Sequence, residues 1–125
     1  MKTRFWILLP GIMLVLAVTL LSWKDIQKGP SIPEDVNTIL SNSCNGCHST
    51  GARAEDAVKA LDFKKWDEYK ATKKVSLLNE IHEVLEEGQM PPEKFLNKNP
   101  DKAPSAEDKE KIMKWTKEET AKLME

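Results

Sequence analysis

The residues of this chain best suited to chemistry are Cys44 and Cys47, its only two cysteines, in the sequence Cys44-Asn45-Gly46-Cys47-His48. C-x-x-C-H is the spacing at which a c-type haem is attached covalently. Residues three and four apart in a helical turn share a face, so both thiols can reach one edge of a porphyrin while His48 lies under the iron. The motif therefore predicts one covalent haem c, with His48 as the proximal iron ligand.

Three other uses of the cysteine pair are open. A thioredoxin-like pair needs a βαβ setting and an activated, exposed thiolate, and no strand-like alternation surrounds Cys44 and Cys47. A zinc site needs a fourth ligand, and the only other histidine, His82, is far from any further cysteine. A disulfide that closes two residues constrains little and leaves His48 without a role. Covalent haem is the favoured interpretation.

A second iron ligand is predicted in the segment Gly88-Gln89-Met90-Pro91-Pro92. Its prolines favour a stiff, extended backbone that presents the Met90 thioether from a loop. A thioether opposite an imidazole raises the reduction potential and fills the sixth position of the iron. Two alternatives remain open: Met90 fills a gap in the core, or His82 is the distal ligand.

The N-terminus indicates the compartment in which this chemistry would occur. Lys2 and Arg4 precede nineteen uncharged residues, Phe5 to Trp23, which at about 1.5 Å per residue can cross a hydrocarbon core of roughly 30 Å. Basic residues at the start favour a cytoplasmic N-terminus. We therefore expect a retained membrane anchor, or signal-anchor, at residues 1–23. The alternative is a cleaved signal peptide, although no A-x-A cleavage pattern is present.

Composition fits one small domain behind this anchor. The expected divisions are the anchor at 1–23, a linker at 24–32 and a haem-binding domain at 33–125. Without the anchor, 17 basic residues face 20 acidic ones, a net charge of −3. The lysines are interspersed with acidic residues, and no basic stripe with interleaved aromatic residues is present, so nucleic acid is not an expected partner.

The pattern of apolar residues predicts an all-α domain. Helical spacing recurs in five segments, at about residues 31–48, 54–61, 63–69, 74–87 and 105–125. Capping boxes are expected at Ser31 and Ser105, and Gly88 is expected to end the fourth helix. The four prolines between residues 89 and 104 predict irregular structure there. Met113, Met124, Trp66 and Tyr69 are expected to pack, although Trp66 and Tyr69 could instead bind haem propionates.

These residues together resemble two groups of haem proteins. Cys44–His48, Met90-Pro91-Pro92 and a helix on each side are similar to class I cytochromes c, whose terminal helices cross and whose distal ligand is a loop methionine. Leu61-Asp62-Phe63, the segment 86–92 and the final helix resemble the small haem-binding domain family, often membrane-anchored or fused in exported bacterial proteins. The resemblance covers about residues 33–123. It implies a cytochrome c-like fold at a bacterial inner membrane, with the haem domain on the periplasmic side.

The resulting hypothesis is a membrane-anchored monohaem cytochrome that transfers single electrons, not an enzyme. No paired carboxylates, activated nucleophile or phosphate-binding glycine loop indicates side-chain catalysis. The expected partners are redox proteins that the sequence does not identify. Two alternatives are a haem sensor or peroxidase-like domain whose sixth position opens, and a haem subunit of a larger respiratory complex.

Overall fold

The computed structural model describes residues 31–125, and these contain helices but no strand. The α-helices are α1 (Glu34–Ser43), α2 (Glu55–Ala60), α3 (Ala71–Glu86), α4 (Glu93–Leu96) and α5 (Ala106–Met124). Two 3-10 helices lie at Phe63–Glu68 and Pro100–Lys102. The all-α prediction is confirmed for this part of the chain.

The predicted anchor at 1–23 and most of the predicted linker at 24–32 lie outside the described residues. Between residues 31 and 125, no helix combines the length and the apolar character needed to cross a bilayer.

The core forms mainly between the two longest helices, α3 and α5, and α5 also contacts α1. The side chains that α3 and α5 bury include Leu77, Leu78, Ile81, Leu85, Ile112, Trp115, Thr116 and Glu119. Six of these eight side chains are apolar, and they recur at the helical spacing expected for the segments 74–87 and 105–125. The first and last described helices are therefore in contact.

The ends of the helices follow local chemistry. The Ser105 hydroxyl accepts from the Asp108 amide at 3.0 Å, and the Asp108 carboxylate accepts from the Ser105 amide at 3.0 Å, so the predicted capping box of α5 is confirmed. Gly88, with φ of +69°, follows α3 as predicted, in the left-handed region that glycine adopts without steric cost. The capping box predicted at Ser31 is wrong. Pro33 occupies the position before α1, and its carbonyl accepts from the Asn37 amide at 2.8 Å.

Three further predictions of secondary structure need correction. The first helix ends at Ser43 instead of continuing through the cysteine motif, because the amides of Cys44 and Asn45 both bond to the Leu40 carbonyl, at 2.8 and 2.9 Å, and the regular pattern stops. The segment after Asp62 is a 3-10 helix, not an α-helix. The proline-rich segment contains α4, which begins directly after Pro92, and a 3-10 helix that begins at Pro100, where the fixed φ of proline suits a helix start.

Candidate haem site

A cavity of about 340 Å³ opens between the end of α1, α2, α3 and the segment that precedes α4. Its lining contains Cys44, Cys47, His48 and Met90, so the structure brings the four predicted cofactor-binding residues to one place. The rest of the wall is mostly apolar and includes Leu40, Ala54, Ala57, Ala60, Leu61, Phe63, Leu77, Ile81, Val84, Leu85, Phe95 and Ile112. A volume in this range and an apolar wall with a few convergent polar groups are typical of a cofactor pocket.

The cysteine motif folds as a turn immediately after α1. The amides of Cys47 and His48 both bond to the Cys44 carbonyl, at 3.1 and 3.0 Å, which brings the two thiols to the same side of the chain. Both thiols are free and half-buried. Burial raises the pKa of Cys44 from 9.0 to about 11, and the charge of Cys47 makes a smaller contribution in the same direction. An activated thiolate needs a lowered pKa, so this environment disfavours the thioredoxin-like alternative.

The zinc alternative finds no support in the described part of the chain. No three histidine, cysteine, aspartate or glutamate side chains between residues 31 and 125 are grouped so that they could hold a metal ion. Zinc sites in proteins take four such ligands, or three with a water.

The imidazole of His48 is held in one tautomer by α2 and the residue that follows it. Its Nδ1 lies 3.0 Å from the Ala57 carbonyl oxygen and 3.2 Å from the Leu61 carbonyl oxygen. Carbonyl oxygens only accept hydrogen bonds, so Nδ1 carries the proton and Nε2 keeps its lone pair. Metal-binding histidines are usually oriented in this way, by a bond from the ring nitrogen that does not bind the metal.

A set of hydrogen bonds joins the loop after His48 to the start of the 3-10 helix. The His48 carbonyl accepts from the Phe63 amide at 3.0 Å, and the Asp62 carboxylate accepts from the Thr50 amide at 3.0 Å and from the Thr50 hydroxyl. The Lys64 amide donates to the same carboxylate at 3.1 Å. Asp62 is only 2% exposed, and the bond from the Thr50 hydroxyl, with smaller contributions from the Thr50 and Lys64 amides, lowers its pKa despite burial.

Sequence reasoning did not identify Asp62, Thr50, Ala57 or Leu61 as parts of the site. Ala57 and Leu61 contribute backbone carbonyls, and the type of a side chain does not predict what its backbone carbonyl will bind. One signal was present: Ala54, Ala57 and Ala60 recur every third residue and all line the cavity. Small residues at such spacing mark a helix face that a large group can approach closely.

Met90 is half-buried and lines the cavity, in the turn that leaves α3. The amides of Gln89 and Met90 both bond to the Val84 carbonyl, at 2.8 and 3.3 Å, which turns the chain back over the end of α3. Pro91 is buried beside it and also lines the cavity. The backbone therefore directs Met90 to the same space as His48, as a loop ligand requires.

His82 is placed elsewhere. It is half-buried and does not line the cavity; its Nδ1 lies 3.0 Å from the Thr116 hydroxyl of α5. That hydroxyl donates to the Met113 carbonyl at 2.7 Å, so the His82 Nδ1 is the donor in the bond between the two side chains. His82 therefore links α3 to α5, on a different face of α3 from Leu77, Ile81 and Val84.

Phe63 lines the cavity beside His48, whereas Trp66, Tyr69 and Trp115 pack behind these two residues and do not line it. Phe63 lies edge-on to the His48 ring, with centroids 6.4 Å apart, and Trp66 contacts Phe63, Tyr69 and Trp115 at centroid distances of 6.2, 6.2 and 5.6 Å. The Lys74 ammonium lies 5.5 Å from the Trp66 ring centroid. The packing role predicted for Trp66 and Tyr69 is confirmed. Met113 also packs against the core, whereas Met124 is 72% exposed and the packing predicted for it is wrong.

The residues of the cavity fit a haem. Its walls suit an apolar macrocycle, its thiols and imidazole suit the edge and the iron, and the buried Ser43 hydroxyl, which lines the cavity without a partner among the described residues, can serve a polar group of the cofactor. Three lining residues, Ala60, Glu80 and Pro92, are exposed, so the cavity opens to solvent on their side.

A comparison with protein families also indicates haem as the cofactor. A family model described as a haem-binding domain matches residues 51–118, more than half of the chain. The match begins three residues after His48, so it rests on residues other than the cysteine motif and is independent of it. No curated protein and no solved structure matches the chain. On the strength of the family match, this chain belongs to the haem-binding domain family.

Proposed function

We propose that the chain is a membrane-anchored monohaem c-type cytochrome that carries single electrons outside the cytoplasm. In this proposal Cys44 and Cys47 bind one haem covalently, and His48 and Met90 are its proximal and distal iron ligands. The observation that carries the proposal is the state of His48. Its Nδ1 is occupied by two carbonyl oxygens while the ring lines the same cavity as both thiols and Met90.

The chain's own contribution is to hold and isolate the redox centre. A bound haem supplies an iron that gains or loses one electron. The Ala57 and Leu61 carbonyls orient the His48 ring through Nδ1, so Nε2 would be the nitrogen available to the iron. The apolar walls from α2 and α3 exclude water, and a thioether from Met90 favours the reduced state of the metal.

The cellular setting is part of the same proposal. The uncharged stretch 5–23 after Lys2 and Arg4 is long enough to anchor the chain with its haem domain on the periplasmic side of a bacterial inner membrane. The partners in this setting are redox proteins, because an iron held by both His48 and Met90 would have no open position for a small substrate.

The proposal is tested by production of the full chain in a host that assembles c-type cytochromes. We expect a mass increase equal to one haem that survives denaturation, and its loss in the Cys44→Ala/Cys47→Ala double variant. His82→Ala is the matched control, since His82 does not line the cavity, and it retains the haem. Colourless protein with two titratable thiols would rule out covalent attachment. Mass spectrometry of the same sample also shows whether residues 1–23 remain on the mature chain.

A further inference from the structure

We infer that Asp62 and Thr50 are positioning residues for the proximal ligand, and that they set the orientation and the hydrogen bonding of the His48 imidazole without touching the cofactor. This inference rests on the proposed role of His48 and adds two residues to it. The bonded group formed by Thr50, Asp62 and Lys64 is called here the proximal clamp.

The clamp joins two segments that are twelve residues apart. One Asp62 carboxylate oxygen accepts from the amides of Thr50 and Lys64, at 3.0 and 3.1 Å, and the other accepts from the Thr50 hydroxyl. The Lys64 ammonium donates to the Thr50 carbonyl at 3.1 Å. The Asp62 amide donates to the Tyr69 hydroxyl at 3.1 Å. The side chain and the backbone amide of Asp62 therefore both form hydrogen bonds.

The clamped residues flank two of the polar contacts of His48. Leu61, whose carbonyl lies 3.2 Å from Nδ1, precedes Asp62, and Phe63, whose amide donates to the His48 carbonyl at 3.0 Å, follows it. Thr50 lies two residues after His48. The carboxylate of Asp62 thus fixes, through one backbone segment, one of the two acceptors for the ring (the Leu61 carbonyl) and the Phe63 amide that donates to the main chain of His48.

The position of Asp62 favours this role over a general packing role. The side chain is 2% exposed, and its partners are the amide and hydroxyl of Thr50, in the loop after His48, and the Lys64 amide in the first turn of the 3-10 helix that Asp62 caps. Lys64 and Thr50 are exposed, so the bonds can be removed without a cavity in the core. Partners that orient a metal-bound histidine tune the electron donation of the ring, and their loss usually costs 10–100-fold in affinity or activity.

The decisive test compares Thr50→Val with Thr50→Ser in the haem-loaded full chain. Valine keeps the shape but removes the hydroxyl that donates to Asp62, whereas serine retains it. We expect Thr50→Val to raise the reduction potential, because a weaker Nδ1 bond makes the imidazole a poorer donor to ferric iron, and to change the g-values of the ferric haem in electron paramagnetic resonance. Thr50→Ser is expected to match the original chain in both measurements.

A second pair of variants, Asp62→Asn and Asp67→Asn, tests the inference independently in case Thr50→Val does not fold. Asp62→Asn removes the carboxylate, and Asp67→Asn alters an exposed aspartate of the same 3-10 helix. The clamp predicts shifts of the same sign in Asp62→Asn and Thr50→Val, a smaller one in Lys64→Met, and none in Asp67→Asn. Equal potentials and g-values in Thr50→Val and Thr50→Ser would overturn the inference while the haem site stands. Absence of haem from the unaltered chain would overturn the proposed function itself.

Discussion

The carbonyl oxygen of Ala57 lies 3.0 Å from Nδ1 of His48, and Ala57 lines the same cavity as His48. One residue of α2 therefore both orients the proposed ligand and leaves room for the cofactor. A larger side chain at this position would keep the carbonyl and fill the space.

The first prediction follows from this double role. Ala57→Leu is expected to reduce the fraction of chain that carries haem by about tenfold or more, because overpacking by several methylene groups costs roughly 1–3 kcal/mol. The ratio of haem absorbance to protein absorbance measures this fraction. Val58→Leu, on the adjacent residue that does not line the cavity, is the control, and an equal loss of haem in both variants would contradict a cavity-specific effect.

The second prediction concerns Met90. Met90→Ala removes the thioether, so we expect loss of the weak absorption band of a sulfur-ligated ferric haem, a lower reduction potential and rapid binding of carbon monoxide by the reduced protein. Met124→Ala, at an exposed position, is the control. If the unaltered chain is already high-spin and binds carbon monoxide readily, Met90 is not a permanent ligand and the sensor alternative gains support.

The third prediction concerns acid stability. The Thr50 hydroxyl lowers the pKa of Asp62 below its ordinary value of 3.8, so the carboxylate contributes stability that is fully present above that value and is lost as the pH falls through the lower, folded-state pKa. Denaturant unfolding between pH 5 and about 2 is expected to show this loss in the original chain and a flatter profile in Asp62→Asn. Asp67→Asn serves as the control. Identical profiles for the original chain and Asp62→Asn would contradict the assignment.

The fourth prediction concerns the helix pair that supports the site. Leu78 of α3 has no exposed surface, so Leu78→Ala is expected to lower the free energy of unfolding by about 2–5 kcal/mol through lost burial and a residual cavity. Met124→Ala is expected to change it by no more than about 0.5 kcal/mol. Chemical denaturation of both variants measures the difference. A small effect at Leu78 would mean that α3 and α5 do not form the main core.

Much of the fold and of the candidate site could be predicted from sequence, for identifiable reasons. The stripes of α3 and α5 recur at helical spacing over four to five turns, and the Ser105 capping box is a local pattern, so both were found. Cys44, Cys47, His48 and Met90 were identified from short motifs, and the structure places them around one cavity. Their function as cofactor ligands stays a prediction.

The parts that sequence did not reveal depend on distant or backbone contacts. α1 ends at Ser43 because the Leu40 carbonyl accepts from two successive amides, those of Cys44 and Asn45. No residue type in this segment predicts that pattern. The proximal clamp forms between Thr50 and Asp62, twelve residues apart, and Asp62 alone is indistinguishable from an ordinary helix cap. The anchor prediction at 1–23 concerns residues outside the described part of the chain.

Several residues that line the cavity also belong to the hydrophobic core. Leu40, Leu77, Ile81, Leu85 and Ile112 belong to both, so one face of each packs against protein and another borders the cavity. Atoms beside empty space forgo the dispersion contacts that a bound group would provide. A molecule that fills this space makes its non-covalent contacts only in the folded state, so those contacts add to the free energy of unfolding. A group that occupies this cavity is therefore expected to stabilise α1, α3 and α5 together, because all three helices supply residues to its wall.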